Sequence, residues 1–129
     1  MYWGILFSEE MRGRLKAIYK RFFSDTFNEE EWVMYGHHVT LIHSSHKSWK
    51  SVSQVLQNFE GCRVDVHLVS IGISENVIAF GVDTNTMNKH SHITIACRKG
   101  HKPVESNDIK KWERLYTDVY ITGMLKLMD

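Results

Sequence analysis

The chain has 129 residues, with 16 basic and 15 acidic side chains and a net charge of +1. That length suits one domain, and 43% hydrophobic with 24% charged residues excludes disorder, collagen and coiled coil. The near-neutral balance excludes the bulk field that grips long duplex DNA; a small nucleotide-like ligand needs only a local cluster of donors.

Residues 2–7 read as an aromatic, apolar strand. Ser8 is placed to cap a helix whose first turn holds Glu9 and Glu10, and Met11, Leu15, Ile18 and Phe22 recur along one helical face. Arg12, Arg14, Lys16, Lys20 and Arg21 fall mostly off that face. Residues 24–36 read as a polar, acidic loop. His38 to Ile42 reads as a strand and 44–50 as a loop. Val52, Val55, Leu56 and Phe59 mark a second helix, closed by Gly61. Residues 62–73 and 77–82 read as two strands about a turn at Ser74–Asn76. A polar loop leads to a strand from His92 to Cys97. Ile109, Trp112 and Tyr116 suggest a third helix capped by Ser106 or Asn107, and 118–127 a last strand. The order predicts an α+β fold, a largely antiparallel sheet with helices on one side.

Cys62 and Cys97 are too few for a disulfide scaffold and fit no zinc ribbon. Both are read as reduced, mostly buried thiols of a cytoplasmic protein. The apolar start lacks a basic n-region and a cleavage site, so no signal peptide is expected. No run reaches the ~18 apolar residues of a membrane helix, and no membrane partner is expected.

The histidines carry the chemical signal. His38-Val39-Thr40-Leu41 and His92-Ile93-Thr94-Ile95 repeat one pattern on two predicted strands. With eight histidines and seven threonines, chance gives roughly 0.4 His-x-Thr triplets, yet two occur. Strand alternation turns His38 with Thr40, and His92 with Thr94, away from the apolar face. The same alternation puts Ile93, Ile95 and Cys97 together on the core side. Imidazoles titrate near neutrality, so one can accept a proton while the other donates. A threonine hydroxyl two residues on can donate to a phosphate oxygen. Two such units about one phosphodiester supply base, acid and oxygen donors for in-line displacement.

With those motifs the sequence resembles the 2H phosphoesterases, which include the RNA 2',3'-cyclic phosphodiesterases and LigT-like proteins. Together with Lys102-Pro103-Val104-Glu105-Ser106-Asn107, they are more closely similar to the cyclic phosphodiesterase domain of fungal-type tRNA ligases. The resemblance implies a bilobal fold, largely antiparallel sheets with helices on the outer faces and a central cleft. It implies His38 and His92 as the acid/base pair, Thr40 and Thr94 as phosphate donors, and no metal or cofactor. The implied partner is an RNA terminus or a small (cyclic) oligonucleotide, and the expected state is a monomer. Open alternatives are a viral-type enzyme degrading cyclic dinucleotides or 2'-5' oligoadenylates, and a nucleotide- or RNA-binding module without turnover. These residues include no ligase or kinase domain.

Around the motifs, Tyr35 is the candidate for stacking on a base, Lys102 for steering the anion, and His90, two before His92, for the shared face. Lys89, Arg98 and Lys99 also flank the second motif. His37 is expected to point away from His38, and His43 to sit on the opposite strand face in a structural role. A zinc site built from His37, His38, His43 and His46 would straddle both faces of a strand without paired cysteines, which argues against it.

Overall fold

The computed structural model describes residues 1–23, 30–116 and 118–129. The order is β1 (Tyr2–Leu6), α1 (Glu9–Phe23), β2 (Trp32–Met34), β3 (His38–His43), α2 (Trp49–Leu56), β4 (Arg63–Ile73), β5 (Val77–Val82), β6 (His92–Arg98), β7 (Trp112–Arg114) and β8 (Tyr120–Met128). This is an α+β fold with antiparallel strand pairs in the order β2-β6-β5-β4-β8-β1-β3, and β7 pairs with β4 outside that path. Strand β4 belongs to both halves. Its first residues pair with β8, and its last ones with β5 and β7.

The two ends of the path meet through the chain itself. Strands β2 and β3 are joined by residues 35–37, whose amides continue along β6: Tyr35 N–H donates to Ile95 O at 2.7 Å and Gly36 N–H to Thr94 O at 2.8 Å. Gly36 has a φ of +85°, a conformation open to glycine at little cost. The His-x-Thr segment of β3 therefore starts beside that of β6.

One face of the sheet carries the main core, with Ile5, Phe7, Val39, Val66, Leu68, Phe80, Ile93, Ile95 and Ile121 packed against Leu15 and Tyr19 of α1. Helix α1 begins as its sequence predicts, with Met11 N–H donating to Ser8 Oγ at 3.3 Å. Tyr19, absent from the predicted apolar face, is fully buried; the side chain of Phe22 and residues 24–29 lie outside the described residues. A second cluster, Trp3, Ile42 and Leu125, is covered by Trp49, Val52 and Leu56. Val55 and Phe59 are exposed, so α2 contributes a narrower stripe than its sequence suggests. Cys97 is buried but Cys62 is exposed, correcting the expectation that both thiols are buried.

Three segments differ from the sequence reading. Residues 32–34, read as loop, form β2 and pair with Ala96–Arg98. The expected third helix does not form: 103–108 is a 3-10 turn opened by Pro103, and 112–114 is β7 on Ser70–Gly72. The Ile109, Trp112 and Tyr116 spacing imitates a helix, but Trp112 instead lies over Gly72 and Gly81, where no side chain blocks its ring.

The third difference is a bulge at the same place in both motifs. Gly4 pairs with Thr40 and Trp3 with Ile42, leaving Leu41 as the extra residue. Likewise Ala79 pairs with Thr94 and Ile78 with Ala96, leaving Ile95 extra. An extra residue reverses the side-chain phase of everything beyond it. Ile42 thus joins Val39 on the core side and His43 turns toward the face of His38. Cys97 correspondingly leaves the side of Ile93 and packs with Val77, Ala79, Ile109 and Tyr35.

Candidate active site

A cleft of about 530 Å³ opens where β3 and β6 face each other. Tyr2, His37, His38, Thr40 and His43 line one side, and His92 and Thr94 with Pro103, Val104 and Asn107 line the other. Tyr35 and Asn88 also reach it. His38, Thr40, His92, Thr94 and Tyr35 are thus brought together. His37 and His43 join them, contrary to the strand-face argument, because His37 precedes the regular strand and His43 follows the bulge.

Burial lowers the pKa of His38 to about 4, helped by the proximity of His37 and His92. The ring of Tyr2 lies against it at 5.0 Å between centroids. Burial also lowers the pKa of His92 below 6.5, partly offset by a hydrogen bond to the His90 backbone. In that bond His92 Nδ1 lies 2.7 Å from His90 O. A carbonyl only accepts, so Nδ1 carries the hydrogen and the neutral ring's lone pair is at Nε2. Both imidazoles are therefore neutral in the free protein at pH 7, and a proton on one disfavours a proton on the other.

The hydroxyls differ. Thr40 opens into the cleft with no hydrogen-bond partner among the described residues. Thr94 Oγ1 lies 2.7 Å from Ser106 Oγ and 3.3 Å from Pro103 O. A hydroxyl donates once, so when Thr94 donates to Pro103 O the shorter bond is donated by Ser106. Ser106 is 1% exposed and is not the helix cap its sequence suggests. Its turn is clamped by Glu105, whose carboxylate accepts the Lys102 N–H at 2.6 Å and meets His101 Nδ1 at 3.0 Å.

Lys102 and His90 do not line the cleft. Lys102 is exposed, while His90 stacks on Trp112 at 5.1 Å and contributes to the site through its carbonyl. Arg98 is drawn away by Trp32, 4.8 Å beneath its guanidinium, and by Glu31 at 3.1 Å. Among the described residues no lysine or arginine lines the cleft. One guanidinium touches its wall from behind, with Arg12 Nη2 3.2 Å from His37 Nε2. Helical periodicity alone, which sets Arg12 off the apolar face, could not have revealed that contact. Among the described residues no group of three or more His, Cys, Asp or Glu side chains is placed to hold a metal ion, and no helix is long and apolar enough to cross a membrane.

An α+β fold with paired imidazoles and hydroxyls about one cleft has the equipment of a phosphodiesterase domain. Residues 7–124, which include both motif strands, match the family model of the fungal tRNA ligase phosphodiesterase domain, and the chain belongs to that family. No curated protein sequence matches it.

Proposed function

We propose that the chain opens a 2',3'-cyclic phosphate at the end of an RNA strand, as a 2H-type enzyme. The observation that carries this reading is the shared cleft of His38 and His92, each with a threonine hydroxyl beside it. His38, the more strongly depressed of the two, is the general base, taking a proton from water as the water oxygen bonds phosphorus. His92, whose cation is favoured by the bond to the His90 carbonyl, is the general acid. With the anionic phosphate bound it carries a proton at Nε2 and gives it to the ribose oxygen as the P–O bond breaks. The product is a ribose phosphomonoester. Thr40 donates to a non-bridging oxygen, and Thr94 does so by turning from Pro103 O while Ser106 still donates to it. No step is assigned to a metal ion.

The test is turnover of a short oligonucleotide ending in a 2',3'-cyclic phosphate, with EDTA present. His38→Ala and His92→Ala should each lower kcat by about 10²–10⁴-fold, the usual worth of a positioned acid or base. Full activity in either variant, or no turnover by the unaltered protein, overturns the reading. Binding without turnover would favour the binding-module alternative.

A further inference from the structure

A phosphodiester is an anion, yet the cleft wall carries no lysine or arginine among the described residues. Arg12, reaching from α1 to the ring of His37, brings a fixed positive charge into contact with that wall, which Met1 and Asp129 also line. The contact orients both partners. His37 Nε2 accepts from the guanidinium, which leaves the hydrogen of the neutral ring on Nδ1. Arg12 Nε is buried and, among the described residues, has no hydrogen-bond partner. A charged group with an unsatisfied N–H is costly to keep, and a guanidinium that turns toward the cleft can meet two phosphate oxygens with this N–H and an Nη. The ring of Tyr35 stands edge-on to His37 at 6.0 Å, so an aromatic face adjoins the pair. His37 immediately precedes His38, which puts the pair one step along the wall from the reacting phosphate.

Resting on the cyclic-phosphate reading above, we infer that Arg12 and His37 form a second phosphate subsite, holding the phosphodiester next to the cyclic one, so that the substrate is an oligonucleotide end rather than a mononucleotide. The charge that Lys102 was expected to supply then comes from the opposite side of the cleft, through a residue whose fork can grip two oxygens.

The experiment compares kcat/KM for a nucleoside 2',3'-cyclic phosphate and for a trinucleotide ending in the same group, in the unaltered protein and in Arg12→Gln and Arg12→Lys. The expected result is a preference for the trinucleotide that Arg12→Gln cuts by about tenfold or more, mostly in KM. Arg12→Lys should restore part of it, since lysine keeps the charge without the fork. The ratio between substrates is independent of how much of each preparation is folded. Equal efficiency on the two substrates, or a ratio unchanged in Arg12→Gln, overturns the second subsite and leaves the first reading standing. Failure to turn over either substrate overturns both.

Discussion

Thr94 and Ser106, twelve residues apart, share a hydroxyl–hydroxyl hydrogen bond of 2.7 Å. Ser106 is buried and Thr94 faces the cleft. The bond therefore ties the 3-10 turn to the second motif strand and aims a hydroxyl where a phosphate oxygen would sit. Ser106→Ala removes the aim but not the hydroxyl. We expect kcat to fall by roughly tenfold, less than the 10²–10³ lost with a transition-state donor. Stability should fall by only about 1 kcal/mol, the net worth of one hydrogen bond. Thr94→Val, which removes the donor itself, should cost about 10²-fold in kcat. Steady-state kinetics and denaturant melts on both variants separate aim from donation.

The glycines under Trp112 are as tightly fitted. A β-carbon at Gly72 would stand 2.6 Å from a ring carbon of Trp112, closer than carbon atoms can approach. The indole also supports His90, whose carbonyl holds His92. Gly72→Ala should destabilise the protein by about 1–3 kcal/mol, as overpacking does, and should lower kcat as well. Gly13, in the middle of α1, has nothing within 4 Å of such a carbon. There the same substitution should stabilise by about 0.5–1 kcal/mol through helix propensity. Thermal melts of the two variants should move in opposite directions.

The His-x-Thr pairs and their strands were legible because alternation of polar and apolar residues is a local signal. The bulges at Leu41 and Ile95 were not. Leu41 and Ile95 fit regular strands as well as bulged ones, and only the pairing with Trp3–Gly4 and Ile78–Ala79 makes them extra. Everything beyond them therefore lies on the side opposite to the one regular alternation predicts, so that His43 faces the cleft and Cys97 leaves the core of Ile93. Trp112 departs from its predicted helix for a related reason. Its spacing from Ile109 fits a helix, but a free strand edge at Ser70–Gly72 and two glycines make a better seat. Arg12, brought in from outside the motifs, carries no periodic signature of its place behind the cleft wall, and Ser106, although inside the Lys102–Asn107 segment, reads there as a helix cap because nothing local shows its bond to Thr94.

The two thiols should behave differently. Cys97 is fully buried, and burial with the nearby Glu105 charge pushes its pKa up to about 11. Cys62 is exposed just ahead of β4. Since the thiolate is the reactive form, a thiol reagent at pH 8 should titrate one group in the native protein and two in denaturant. Mass spectrometry of the native product should locate the label on Cys62.

Burial of His38 makes stability depend on pH. Its pKa is about 4 in the folded protein against an ordinary 6.5, so between those values the unfolded chain binds the extra proton. Stability then rises with pH across the interval. The contribution is fully present above 6.5 and is lost as pH falls through about 4. Its size is on the order of a few kcal/mol. His38→Asn removes the titrating group. Denaturant melts between pH 7 and 4.5 should show a shallower decline for the variant than for the unaltered protein.

The same shifts set the pH dependence of turnover, with the limbs assigned by role. The base must be unprotonated, so the acid limb of kcat/KM follows His38 and lies near 4. The acid must be protonated, so the alkaline limb follows His92 and lies below the ordinary 6.5. The profile should therefore be a bell with its maximum on the acid side of neutrality, because kcat/KM reports the groups of the free enzyme. The profile of kcat should extend to higher pH, since a bound phosphodiester anion favours the imidazolium. Replacing His90 by alanine keeps the carbonyl that holds His92 Nδ1 but removes the neighbouring ring that lowers the His92 pKa, and so should move the alkaline limb of kcat/KM upward. Movement of the acid limb instead would reverse the roles given to His38 and His92.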